Sequence, residues 1–226
     1  PEAWLSSRAA PVVAAALAPL AGKIARAPVL AYRGDEPEDE ASGGPAGEAL
    51  TRAFDHHDSL ACLDFMEAES RGELTRSRRE ISLLLVDSIA DAFGFAPMER
   101  RAFYERGYRW AFSMGLLKPG DREALDRKLE SLRPSLRELL TPGRAEAERW
   151  GDAGAARIAA AWRAGVATAA RGALDACAAG RISQTPVNLA WLWSQAHSNR
   201  LGIVNVSEAI LRYFMHRLLS IEEGAA

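Results

Sequence analysis

Six polar residues fall within seven positions of the segment Trp191-Leu-Trp-Ser-Gln-Ala-His-Ser-Asn-Arg-Leu-Gly-Ile203: Ser194, Gln195, His197, Ser198, Asn199 and Arg200. Hydroxyl, amide, imidazole and guanidinium groups at this density can donate and accept hydrogen bonds, move a proton or hold an anion. The flanks, Val187 to Trp193 and Leu201 to Val206, are apolar, so the segment is expected to be buried. Buried polar groups need partners. Trp191, Ser194, Gln195 and Ser198 share one helix face at i, i+3, i+4 and i+7. Two readings follow: a satisfied internal hydrogen-bond network, or the wall of a pocket.

Other chemistry-bearing residues are less pointed. His56-His57 precede Asp58, but adjacent side chains on a helix diverge by about 100° and rarely chelate one ion. Cys62 and Cys177 sit in no CxxC or Cys/His spacing and read as small buried apolar residues. No metal site is expected, and no cofactor. The chain carries no P-loop, GxGxxG, HExxH or GxSxG. Arg76 to Arg79 reads as a solvated helix start. Arg100, Arg101, Glu105 and Arg106, with Tyr104 and Tyr108, read as an exposed face that could cradle an acidic peptide.

These groups must be positioned mainly by helices. Apolar spacing and capping signals place helices at 9–27, 46–69, 77–94, 97–115 and 121–140. Ser77-Arg-Arg-Glu80 is a capping box, and Pro97 takes the favoured first-turn place. Residues 144–180 form an Ala-rich helix or pair of helices. Pro186 to Arg200 form another, and Ser207 opens the last, with Glu208 in its first turn. Pro28 to Tyr32 is a short strand-like piece, followed by a loop from Gly34 to Gly47. The expected class is α+β, predominantly helical, with a helical domain packed on a small sheet. At 226 residues the chain can bury a substantial core. A net charge of −2 gives no bulk attraction to nucleic acid. The early apolar stretch from Pro11 to Leu20 is too short for a bilayer and has no basic n-region, so a cytoplasmic protein without membrane contact is expected.

Several landmarks, in order, resemble one family. Gly43-Gly-Pro45 followed by Phe54-Asp-His-His-Asp-Ser59 resembles the "RYGG…FxxDS" block of the elimination-type C-terminal domain of the lantibiotic dehydratase superfamily. Ser77 to Phe112 resembles the helical block after it. His197-Ser-Asn-Arg-Leu-Gly202, with Glu208 and the final helix to Leu219, resembles its closing "HMxxNRLxG…E" block. The likeness covers roughly residues 40–220 and implies one such domain over 1–226. It also implies a ribosomally made precursor peptide as partner. The family's ordinary reaction is elimination of glutamate from glutamylated Ser or Thr, which relies on arginines and a histidine. Aligning Asn199-Arg200 with the family's "NR" places its histidine on Gln195. Aligning Gly43-Gly44 places its "RY" arginine on Ala41. A stretch resembling "HLRLR" is missing: the chain is shortened, or a segment between Gly34 and Asp35 is left out.

Glutamine cannot serve as a base near neutral pH, and alanine cannot hold a carboxylate. A fold kept while the elimination apparatus is lost resembles the thiopeptide pyridine synthase branch. That branch joins two dehydroalanines of a dehydrated, azole-bearing peptide by a formal [4+2] aza-cycloaddition, losing water and the leader peptide to give a macrocycle. The resemblance makes Ser194, Gln195 and Ser198 the groups expected to contact the condensing amides. His197 or Tyr213 is the candidate proton donor. Trp191, Asp58 and Ser59 are expected at the pocket, and Arg101 and Arg106 at the leader. Two rival functions stay open: a glutamate-eliminating dehydratase subunit, and a non-catalytic subunit that binds the precursor peptide.

Overall fold

Helix boundaries in this chain follow its capping chemistry. Ser77 Oγ accepts the Glu80 N–H while Glu80 Oε2 accepts the Ser77 N–H, a reciprocal pair that opens a helix. Asp152 and Thr185 accept from Ala155 and Asn188 in the same way. Prolines fill the first turns at Pro45, Pro97 and Pro186.

The computed structural model describes residues 2–4, 29–31, 42–140 and 145–223. The helices among these are α1 (Pro45–Ser70), α2 (Arg78–Ala92), α3 (Pro97–Ser113), α4 (Asp121–Leu140), α5 (Glu146–Trp150), α6 (Ala153–Ala178), α7 (Pro186–Arg200) and α8 (Val206–Glu223). The chain divides into two compact units, Pro1–Glu40 and Ala41–Ala226. In the first, β1 (Glu2–Trp4) and β2 (Val29–Ala31) pair in parallel over three residues each. The expected helix at 9–27 lies outside the described residues.

The expectation of a helical domain packed on a small sheet is corrected. Every element described in the second unit is a helix, and a three-residue strand pair is too short to form a layer. The physical reason is that the apolar faces of these helices are covered by other helices. In α2, every residue from Ile81 to Ala90 is buried, so it is wrapped on all sides rather than laid on a surface. No described helix is long and apolar enough to cross a membrane.

Two long helices, α1 and α6, form the main pair. Apart from Trp162, the buried α6 face is small: Ala155, Ala159, Val166, Ala169, Ala170, Ala173 and Ala176. Its glycines allow still closer approach. A Cβ on Gly165 would stand 2.3 Å from the His57 ring, and one on Gly172 would stand 2.7 Å from Leu50. Gly43 precedes α1 at φ +86°, where a Cβ would come within 2.7 Å of the Gln184 backbone nitrogen. Its carbonyl accepts the Ser183 N–H. The Gly43-Gly44 motif is therefore a turn that ties the start of α1 to the loop before α7.

Aromatic stacking completes the core. Phe54 of α1 lies parallel to Trp193 of α7 with ring centroids 4.7 Å apart. The indole N–H of Trp193 donates to Thr51 Oγ1 at 3.0 Å. A second apolar cluster, built from Tyr108, Leu125, Leu129, Tyr213 and Phe214 among others, joins α3, α4 and α8.

Candidate functional site

The polar segment singled out in the sequence is the second half of α7. Its residues divide by face. His197 and Ser194 are completely buried, Ser198 nearly so, Trp191, Gln195 and Arg200 are half-buried, and Asn199 is exposed.

His197 belongs to a buried ion-pair network centred on Asp58 of α1. Asp58 Oδ1 receives the Trp162 indole N–H at 2.9 Å and contacts His197 Nδ1 at 2.7 Å. Asp58 Oδ2 receives Arg200 Nη1 at 2.7 Å, and Arg200 Nη2 reaches Asp55 at 2.5 Å. Burial alone would raise the Asp58 carboxyl, but His197 and Arg200 outweigh it and hold the group below its ordinary value. It is therefore a carboxylate, which only accepts, so His197 Nδ1 carries the proton between them. His197 Nε2 has no hydrogen-bond partner among the described residues. The network links α1, α6 and α7 through one carboxylate.

Asp58, Cys62 and His197 also offer three possible metal-ligand atoms within 4.8 Å of one another. No spacing in the sequence proposes this set, because the fold brings it together across two helices. It fits an ion pair better than a cation site. Both Asp58 oxygens already accept hydrogen bonds, Arg200 places a positive charge against one of them, and burial holds the Cys62 thiol protonated. His56 and His57 pack edge to face on α1, and His57 lies against Gly165.

Ser194 belongs to a second buried network. Its hydroxyl donates to the Trp191 carbonyl at 2.7 Å and accepts from Arg212 Nη2 at 2.8 Å. The same Arg212 nitrogen donates to Glu208 Oε1 at 3.0 Å. The guanidinium also sits over the Phe103 ring at 5.2 Å. Burial raises the Glu208 carboxyl, and Arg212 opposes that rise. Ser198 faces a cavity of about 10 Å³ lined also by Ser82, Tyr104, Glu208 and Arg212. That volume has room for about one water molecule. Ser194 and Ser198 thus point into protein rather than into a space of peptide size.

Gln195 differs from its neighbours. It is half-buried, and its amide makes no hydrogen bond among the described residues. One turn before it, the half-buried Trp191 ring lies under the Arg106 guanidinium, 5.2 Å from its centroid. Arg106 also bonds Asn188. Trp191 and Gln195 therefore share the outer face of α7 with one arginine of α3.

The remaining candidates lie apart from this face. Tyr213 donates its hydroxyl to Asp126 Oδ1 at 2.8 Å, and burial followed by Asp126 pushes its phenol up to about 12. Ser59 is half-buried on α1 beside Asp58. Asp58 and Ser59 both lie in the middle of α1. Arg101 is half-buried on α3, where its carbonyl oxygen lies 3.4 Å from His216 Nδ1.

Trp162, Glu208 and Arg212 escaped sequence reasoning as site residues. A signal exists for one of them: Arg212 interrupts the apolar run Ile210-Leu-Arg-Tyr-Phe-Met215, and a cation in such a run needs a buried partner. Asp87 is a parallel case within α2. It accepts from Tyr104 at 2.8 Å and from Arg100 at 3.0 Å.

No curated protein and no solved structure gives a significant match to the chain. The family model for the lantibiotic biosynthesis dehydratase C-terminal region matches residues 3–219, and the chain therefore belongs to that family.

Proposed function

We propose that this protein is a thiopeptide pyridine synthase that closes the macrocycle of a ribosomally made peptide. Family membership points to modification of such a peptide. The observation that carries the finer reading is the state of the histidines. The chain has four, His56, His57, His197 and His216. The one in the polar segment, His197, is completely buried and paired with Asp58. At the position resembling the family's catalytic histidine stands Gln195, whose amide makes no hydrogen bond among the described residues. Glutamate elimination needs a base at Cα and a cationic seat for the departing carboxylate. Gln195 and Ala41 supply neither.

Cycloaddition makes different demands. One dehydroalanine amide becomes its hydroxy-imine tautomer, and the resulting azadiene meets the second dehydroalanine. Two carbon–carbon bonds form, the hydroxyl leaves as water, and the amide nitrogen of the second dehydroalanine leaves with the leader. No oxidant is needed, and aromatisation drives the losses. The Gln195 carboxamide offers a donor and an acceptor to one amide, the pairing that tautomerisation requires. Trp191 offers an apolar surface on which the two alkenes are held in contact. Such positioning can supply ~7–11 kcal/mol. Ser194 fixes the turn between Trp191 and Gln195 through Arg212, and acts on position rather than on substrate. His197 and Tyr213 are likewise held by carboxylates.

The test is turnover of a dehydrated, azole-bearing linear peptide, followed by mass spectrometry. Wild-type protein should release water and leader, and Gln195→Ala should lower the rate per folded molecule by ~10²-fold or more. Unchanged turnover in Gln195→Ala would remove that residue from the mechanism. A non-catalytic precursor-binding subunit is the second reading, favoured by the small cavity at Ser198. Peptide binding without any mass change would select it.

A further inference from the structure

An apolar cleft of about 460 Å³ opens between α2, α4 and α8, away from the polar face of α7. Leu83, Leu132, Leu136, Leu211 and Phe214 line it. Its α4 wall runs from Leu125 to Leu139, a helical span of ~21 Å. That length suits an elongated occupant more than a compact one.

The charges at the cleft are unbalanced. Arg79 and Lys128 line it, are exposed, and make no ion pair among the described residues. The one carboxylate among the described lining residues, Glu80, is already engaged. It accepts the Ser77 N–H at 2.9 Å, the Ser77 hydroxyl at 2.8 Å and Arg76 at 3.2 Å. The arginines of α3 present the opposite picture. Arg100 is paired with Asp87 and Asp91, Arg106 is held by Asn188 and Trp191, and Arg109 by Glu105.

We infer that this cleft binds an acidic, amphipathic helical segment of the peptide substrate. Its apolar face enters between α4 and α8, and its carboxylates meet Arg79 and Lys128. Helices commonly dock into helix-walled apolar grooves in this way, through residues at i, i+3, i+4 and i+7. The inference rests on the proposed function only in taking a peptide as the partner. It assigns peptide docking to a surface other than the α3 arginines.

The experiment is fluorescence anisotropy on the full chain. The probe is a labelled peptide with leucines at i, i+3, i+4 and i+7 and glutamates or aspartates between them. Saturable binding that weakens as salt rises is expected. The double variant Arg79→Glu/Lys128→Glu and the single variant Leu132→Gln should each weaken it at least about tenfold. A matched change at an exposed site, Arg171→Glu, should not. All four positions are exposed or half-buried, and melting curves verify that each variant folds. Equal affinity for a scrambled peptide would overturn the inference. So would loss of binding in Arg101→Glu/Arg106→Glu with the cleft variants unaffected, or binding of a long-chain fatty acid with none of the peptide. The probe is unmodified and undergoes no reaction, so the two readings fail separately. Cyclisation by a protein whose cleft variants bind normally sinks this inference alone. Cleft-dependent binding without cyclisation sinks only the pyridine synthase assignment.

Discussion

Replacing Asp58 with alanine removes the one carboxylate that joins α1, α6 and α7. Three donors lose a partner: Trp162 Nε1 at 2.9 Å, His197 Nδ1 at 2.7 Å and Arg200 Nη1 at 2.7 Å. Arg200 loses least, because its side chain is 27% exposed and keeps Asp55. The Trp162 donor remains buried without an acceptor among the described residues, and His197 Nδ1 keeps only the Cys62 sulfur at 3.9 Å, a weak partner, so each loss costs ~1–3 kcal/mol. The expected total is ~3–5 kcal/mol, the range found when one partner of a buried ion pair is removed. For a chain of this size, ~2–4 °C of melting temperature accompanies each kcal/mol, so a fall of roughly 6–20 °C follows. Asp58→Asn keeps one acceptor oxygen and should lose about half as much. Far-UV circular dichroism melting on the purified variants measures this, and a double-mutant cycle with His197→Ala should give coupling above ~1 kcal/mol. A fall below ~3 °C for Asp58→Ala, or additive losses in the cycle, would refute the reading of Asp58 as the centre of the network.

Three further outcomes are expected. Ser194→Ala strips Arg212 of one buried acceptor and should cost ~1–3 kcal/mol of stability, whereas Gln195→Ala, which breaks no hydrogen bond among the described residues, should melt within about 2 °C of wild type; parallel melting and turnover assays separate the two. The Asp58 carboxyl is held below its ordinary value, so its stabilisation is complete above about pH 4 and is lost as pH falls through the lower folded value. The melting difference between wild type and Asp58→Asn should therefore shrink in acid, and a constant difference from pH 7 to pH 3 would contradict it. Gly43→Ala forces a Cβ at φ +86° to within 2.7 Å of the Gln184 backbone nitrogen and should cost ~1–3 kcal/mol, read as a lower urea midpoint.

Much of the helical frame was legible because capping is local. Ser77-Arg-Arg-Glu80, Pro97 and Pro186 mark helix starts within a few residues of where they lie, and the alternatives for 144–180 resolve into a pair broken at Gly151-Asp152. The sheet was misjudged because a β-prone piece such as Pro28 to Tyr32 says nothing of how many strands will join it. The polar half of α7 was found, but not which of its residues face protein. The partners of His197, Arg200 and Ser194 come from α1, α6 and α8, and no local pattern encodes such distant pairings. A usable clue was Asp58 itself. It interrupts the buried stripe of Phe54, Ala61, Cys62 and Phe65 on α1, and a carboxylate in that position requires buried cations or donors. The same rule finds Asp87 within α2 and Arg212 within α8.

The most direct measurement offers the purified protein two linear peptides of the same sequence, side by side, and reads product masses. One is dehydrated and azole-bearing, with its leader attached, and the other carries glutamylated serine. A pyridine synthase converts the first, with loss of water and leader, and leaves the second unchanged. Release of glutamate from the second, with the first left intact, would contradict the assignment and restore the elimination chemistry of the family.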